Sequence, residues 1–422
     1  MTEKKGYRFI GIAAWLLCGL FYFYQYALRS APSVMIPGLI QAFGLTTMGV
    51  STLLALYYYT YSPSNLIAGA LLDRYGDKYT IPAGIIIVAI GSILFGVGNE
   101  MYASIGRLMQ GAGSAFGFVG AVYVATKNLP ARYLALAVGA TQMFGMAGGS
   151  AGQAFVNNLV NVQGFSWRAF WVMAGVVGII LAISLIMLLQ KETEKAESTE
   201  KKRSVLSILA TYKIVFSNPQ SYLSGICAGF LFMPTTIGCM IWGVSYLTKG
   251  LNIDPLAAGK LVALVPFGWV IGCPLLGYIS DRVGRRKPVL IGGAIIMFII
   301  LAMAINVENP HLSQFVIVPI LLLFGIASGA AMIPYSTIRE VNPNHVKAST
   351  AGAMNFIVFI MTAQFATVIG WLLMYVSKHH QNCIDMTDFR LGLVTPLLTG
   401  VSLSIIIAFF IKETGAVATN IK

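Results

Sequence analysis

Apolar stretches close to 20 residues long recur along the whole chain, for example over 11–27, 81–98, 172–189 and 288–305. A helix needs about 20 apolar residues to cross the hydrocarbon core of a bilayer. The pattern therefore predicts a chain of membrane-spanning helices. Twelve are expected, over 8–36, 45–72, 79–98, 101–126, 133–160 and 167–190, then 219–248, 256–280, 287–306, 313–339, 345–377 and 391–412. Between the sixth and seventh runs the sequence turns polar. Residues 191–218 begin with the mixed-charge string KETEKAESTEKKRS, which cannot sit in hydrocarbon. The expected organisation is one six-helix bundle over 1–190, a cytoplasmic charged linker over 191–218, and a second bundle over 219–422.

Composition agrees with membrane embedding. The 422 residues are 57% hydrophobic and 10% charged, whereas soluble domains carry roughly 25% charged residues. The net charge of +13 does not point to nucleic acid, because the basic residues fall mainly in short connections between apolar runs. With both termini cytoplasmic, all but seven of the 28 Lys and Arg face the cytoplasm. The exceptions are Arg29, Arg107, Arg168, Lys249, Lys260, Lys378 and Arg390. Cytoplasmic loops concentrate Lys and Arg, so this orientation in an inner membrane is the expected one. The five cysteines are scattered without disulfide or zinc spacing, and the first apolar run lacks a small-residue cleavage site.

The two six-helix sets also repeat. GALLDRYGDK over 69–78 matches GYISDRVGRR over 277–286, and Asp281 lies 208 residues after Asp73. Each copy follows the second helix of its set. On this doubled Gly-x-x-x-Asp-Arg-x-Gly pattern the chain resembles the major facilitator superfamily over essentially its whole length. That resemblance implies two pseudo-symmetric bundles that rock about a central site, with helices 1, 4, 7 and 10 lining the cavity. It also implies that the two loops act as a cytoplasmic latch, so Asp73, Arg74, Asp281, Arg282 and Arg286 are expected to gate. In the family the loop Asp meets a helix N-terminus and basic residues of the opposite bundle, where a carboxylate is electrostatically favoured.

Helix four carries Arg107-Leu-Met-Gln-Gly111, similar to the family's Arg-x-x-Gln-Gly pattern. A charge inside a bilayer is costly and marks a function or a buried partner. Arg107 is read as a second positive group at the site or as an anchor on a neighbouring helix's carbonyls. Helix five (GATQMFGMAGG, 139–149) has the small residues of close helix packing and lacks the Pro of the similar exporter element.

Helix one is the most informative segment. Arg29 stands alone near the outer end of FYFYQYALRSAPSVMIP (21–37), amid Tyr22, Tyr24, Gln25 and Tyr26. Arg binds carboxylate or phosphate through a forked pair of hydrogen bonds. The segment looks like helix one of the organophosphate:phosphate antiporters, in which an Arg is followed eight residues later by Pro, as Arg29 is by Pro37. Those antiporters place a second Arg in helix seven, where this chain has Thr236. One Arg fewer implies a less charged substrate, a carboxylate or a zwitterion. The alternative is that Arg29 snorkels to the outer headgroups. In helix two, Tyr58, Tyr61 and Asn65 share one face and are candidate lining residues, together with Tyr26. Pro234, Pro266 and Pro334 interrupt helices seven, eight and ten.

No Asp, Glu or His is expected mid-span, which removes the usual intramembrane proton relay. There is no P-loop, no metal-ligand cluster and no nucleophile–base pair, so neither an enzyme nor a cofactor is expected. The sequence thus points to secondary transport of a small organic anion or zwitterion (an amino acid, a short peptide or a carboxylate) by a monomer in the bilayer, with or without a coupling ion. A multidrug or metabolite exporter and a transporter-like nutrient sensor are the alternatives.

Overall fold

A computed structural model describes residues 2–129, 134–189, 205–305, 314–343, 346–377 and 384–415. The charged string of the linker, the four histidines, Cys383 and the Asp73 side chain lie outside the described residues. The described chain is helical. The long helices, numbered in chain order, are α1 (Thr2–Ser30), α2 (Thr47–Tyr75), α3 (Asp77–Val97), α4 (Glu100–Asn128), α5 (Leu134–Asn157), α6 (Trp167–Leu188), α7 (Pro219–Met233), α8 (Leu264–Val283), α9 (Lys287–Ile305), α10 (Gln314–Ser328), α11 (Lys347–Ser377) and α12 (Thr395–Phe410). With their flanking turns, ten described helices are long and apolar enough to cross a membrane. The count is eleven if the short helix Ile36–Phe43 and α2, bent by 109° at Gly44, form one span. The glycine-rich α5 is not among them.

Packing follows one scheme twice. Within the first six helices α1 packs on α5, α2 on α4, and α3 on α4 and α6. Among the last six, α7 packs on α11, α8 on α10, and α9 on α10 and α12. Two seams join the sets: α2 against α11, and α5 against α8 with the short helix Pro255–Val262. Glycines set how closely helices approach. A Cβ on Gly148 would run into the carbonyl of Phe23, so this glycine lets α5 lie directly on α1.

The expected proline breaks are present. Pro234 opens a π-helical segment, Pro234–Cys239, after α7. Pro266 sits in the first turn of α8, and Pro334 follows a 3-10 turn over Gly329–Met332 after α10. The linker differs from expectation. Instead of solvated chain throughout, Val205–Phe216 forms a helix whose Tyr212 hydroxyl donates to the Leu66 carbonyl of α2, while Thr211 meets Ser349 of α11. The apolar run VLSILATYKIVF has the length and composition to pack rather than to swim in solvent.

Candidate functional site

Arg29 sits in the last turn of α1 and is buried, 2% exposed. It therefore does not reach the surface as snorkelling would require. Five aromatic rings surround its guanidinium carbon: Tyr26 at 4.1 Å, Tyr61 at 4.6 Å, Tyr57 at 4.9 Å, Phe359 at 5.1 Å and Tyr58 at 5.6 Å. Four come from α1 and α2, and Phe359 comes from α11 across the seam. The rings brace one another. Tyr58 and Phe359 stack with planes 7° apart, and Tyr61 meets Phe359 edge-on with centroids 4.8 Å apart.

This cage stabilises a cation without neutralising it. Each cation–π contact contributes about 0.5–2 kcal/mol, while taking a guanidinium out of water costs several kcal/mol. The rings offset much of that cost, but a ring face does not satisfy an N–H in the plane of the guanidinium. Nη2 donates to the Tyr57 hydroxyl (3.1 Å) and to Gln25 Oε1 (3.3 Å), and Tyr57 itself donates to Gln25 Oε1 (2.6 Å). Nε and Nη1 of Arg29 are buried with no hydrogen-bond partner, and no carboxylate pairs with Arg29 among the described residues. The two idle nitrogens lie on different edges of the guanidinium and are donors left for an anion.

Arg107 stands behind Tyr57. Its guanidinium lies 4.9 Å from the Tyr57 ring, so one tyrosine touches both buried cations. Arg107 donates to Gln110 (2.8 Å) and to the Leu54 carbonyl of α2 (3.4 Å), and Gln110 reaches Ser92 of α3. Gly111 completes the motif: a Cβ there would strike the Tyr57 carbonyl and the Thr60 hydroxyl. The Arg-x-x-Gln-Gly pattern thus presses α4 onto α2 and fixes Tyr57. On the other side of the site Thr236 turns its hydroxyl to the Phe232 carbonyl (3.0 Å). It offers no second charge.

The other lining candidates are drawn into the same place. Tyr26, Tyr58 and Tyr61 belong to the cage, and Asn65 lies one turn below it, bonded across the seam to Asn355 (3.1 Å). Tyr57, Gln25 and Phe359 complete the set. Gln25 and Tyr57 are polar neighbours of candidates already singled out, whereas Phe359 carries no sequence signal in an apolar helix. The site is closed toward the end opposite the charged loops. There Ser150, Gln153 and Asn157 of α5 donate to the carbonyls of Ala263, Cys239 and Pro255. An open cleft of about 680 Å³ lies elsewhere, between Phe43, Val97, Met101 and Arg168, and includes none of these residues. Arg168 is already engaged there, donating to the Gly96 and Gly98 carbonyls.

The gating candidates form separate networks. Asp281 pairs with Arg286 of its own loop, and Arg286 also holds Glu340 at 2.8 Å. Burial disfavours the Arg286 charge, but these two carboxylates outweigh it and raise its pKa above the ordinary arginine value. The partner expected from the opposite bundle is replaced by one in the same loop. The N-terminus of α9 is met by Glu413, whose Oε1 accepts from the Arg286 and Lys287 backbone N–H groups. Arg74 is exposed and stacks on Tyr75, and Arg282 is exposed. In the first set the corresponding charges are Asp77 and Lys127, 3.1 Å apart. Every ion pair formed between described residues lies within one set of six helices.

Residues 18–370 match the model of the Major Facilitator Superfamily. The chain belongs to this family. It is 26% identical over 308 residues to the membrane sensor protein UhpC of Salmonella typhimurium, covering 67% of this chain and 66%, just under two thirds, of that protein. It is 22% identical over 354 residues to the glycine betaine/proline/ectoine/pipecolic acid transporter OusA of Dickeya dadantii, covering 77% and 70%. Among solved structures, a bacterial homologue of the human lysosomal transporter Spinster, inward-facing and occupied, superposes with a TM-score of 0.69 at 16% identity, covering 94% of this chain and 95% of that one. This likeness shows that the superfamily's fold extends over nearly the whole chain.

Proposed function

We propose that this superfamily member is a secondary transporter of a small organic anion or zwitterion, with the substrate carboxylate held on Arg29. The observation that carries the reading is a buried guanidinium, caged by five rings, with Nε and Nη1 unpaired. An anion arriving there gains charge-assisted hydrogen bonds from the unpaired nitrogens and relieves an uncompensated buried charge. Glycine betaine, proline, ectoine and pipecolic acid, for which the Dickeya relative is named, all bear a carboxylate. Residues 1–190 and 219–422 act as two rocking bodies about the site, both termini are cytoplasmic, and the loops around Asp73, Arg74, Asp281, Arg282 and Arg286 gate the cytoplasmic side. A coupling ion, if one is used, binds without an acidic side chain in mid-span.

The likeness to UhpC supports a second reading, a membrane sensor that binds without moving its ligand. One experiment addresses both. The purified protein is screened by thermal unfolding against amino acids, mono-, di- and tricarboxylates, phosphate esters and hydrophobic cations. A ligand at a hundredfold excess over Kd stabilises by about 2.7 kcal/mol. A carboxylate is expected to raise the Tm of the wild type and not of Arg29→Ala, and Arg29→Lys is expected to weaken binding at least tenfold, because an ammonium lacks the fork. Stabilisation by cations alone overturns the anion reading. Uptake of the stabilising compound into proteoliposomes separates a carrier from a sensor.

A further inference from the structure

The α2–α11 seam runs antiparallel. Ser51 donates to the Ala366 carbonyl near one end, and Ser62 to the Phe356 carbonyl farther along. Between these hydroxyl contacts and the charged-loop face lies a buried amide pair. Asn355 Nδ2 donates to Asn65 Oδ1 (3.1 Å), Asn65 Nδ2 donates to the Tyr61 carbonyl (2.6 Å), and Tyr335 beyond α10 donates to Asn355 Oδ1 (2.8 Å). Asn65 is 1% exposed and Asn355 6%. The pair sits in register with the cage. Asn65 is one turn beyond Tyr61 and Asn355 one turn beyond Phe359, so the amides form a layer about 6 Å along the helix axes from the rings that hold Arg29.

We propose that Asn65 and Asn355 form a second ligand subsite that reads an uncharged amide of the substrate, one helical turn from the carboxylate held on Arg29. The inference rests on that role of Arg29. Its chemistry comes from the amides themselves. Their mutual bond joins helices of the two six-helix sets, so it does not survive a separation of α2 from α11. Broken, it leaves one N–H donor on Asn355 and one C=O acceptor on Asn65, each without the partner it has in the packed seam. A substrate amide offers the complementary acceptor and donor together and restores both bonds. A cationic end finds no carboxylate partner at Asn65 or Asn355 among the described residues, and an apolar end leaves two amide groups unpaired, which disfavours it. The substrate class that fits is an acid carrying an amide at short range, such as an N-acylated amino acid.

The test uses the full-length purified protein and ligands of graded length: N-acetylglycine, N-acetyl-β-alanine and N-acetyl-4-aminobutyrate, each paired with the straight-chain fatty acid of equal length. Affinities come from ligand-dependent thermal unfolding of the wild type, Asn65→Ala, Asn355→Ala, the milder Asn355→Gln and Arg29→Ala. In the wild type at least one amide acid is expected to bind about tenfold tighter than its apolar match, the usual size of one hydrogen bond. In Asn355→Ala and Asn65→Ala that difference disappears with fatty-acid affinity kept or raised, since an unpaired amide is removed, and Asn355→Gln retains part of it. An amide preference that persists in both alanine variants overturns the proposal, as does an equal loss for both ligand series. Equal wild-type affinity for both members of every pair also overturns it and leaves Arg29 standing. Failure of every acid to bind the wild type overturns both readings.

Discussion

At the scale of single residues, the site is a lesson in a charge that is stabilised but not paired. Arg29 was legible because a lone Arg in an apolar helix is expensive, and its neighbours Tyr26, Tyr58 and Tyr61 because aromatic and polar positions clustered around it. Phe359 was not legible. A phenylalanine in an apolar run looks the same whether it faces lipid or closes a cage, and only the pairing of α2 with α11 decides. Tyr57 is the residue most exposed to test. It accepts from Arg29, donates to Gln25 and lies against Arg107. Tyr57→Phe keeps the ring and removes the hydroxyl, so carboxylate affinity should fall by about fivefold to tenfold, the range of one lost hydrogen bond, with little change in the ligand-free Tm. Titration calorimetry reads this directly, and an unchanged affinity would show that the hydroxyl does not orient Arg29.

At the scale of elements, the seam between α5 and the α7–α8 region is built from side-chain amides and a hydroxyl bonded to backbone carbonyls. The partner helices break near those carbonyls, and the Ala263 carbonyl accepts from the Phe267 N–H (3.2 Å) as well. Ala263 lies between two helical pieces, Cys239 ends a π segment and Pro255 opens a helix. Sequence located the prolines that cause such breaks but not which donors would answer them, since the choice depends on the register of α5 against its neighbours. Ser150, Gln153 and Asn157 share a face at intervals of three and four residues. Gln153→Ala with Asn157→Ala removes two bonds, each contributing about 0.5–1.5 kcal/mol. The population open toward the face opposite the charged loops should rise severalfold or more. Labelling of Cys239 by an impermeant maleimide from that face, with the other cysteines replaced, measures it. An unaltered labelling rate would mean that these bonds do not hold the seam shut.

At the scale of the whole molecule, the repeat is plain in sequence and in packing, yet its charges are not copied. In the first set an acid, Asp77, begins α3 and a base, Lys127, ends α4, each favourable to the helix dipole it meets. In the second set a base, Arg286, precedes α9 and an acid, Glu340, ends the helix beyond α10, the opposite order. Glu413, arriving after α12, repairs the arrangement by capping α9. The motif match singles out the two loops but not this inversion, because partner choice at a loop is settled by tertiary approach. Glu413→Gln keeps an acceptor and removes the charge, so thermal stability should fall by about 0.3–1 kcal/mol. Glu413→Ala, which loses the cap as well, should cost about 0.5–2 kcal/mol. Equal stability of the two variants would leave the charge, not the cap, as the whole effect.

The cage around Arg29 also has an optical consequence. Tyr58 and Phe359 are held in a near-parallel stack, and four tyrosine chromophores share one cation. Any ligand that draws the guanidinium away changes the local field on all four phenols at once and loosens a chiral ring assembly. Near-ultraviolet circular dichroism and tyrosine difference absorption should therefore register occupancy without a label. A spectral change that saturates with ligand and vanishes in Arg29→Ala would let substrate candidates be screened by light alone.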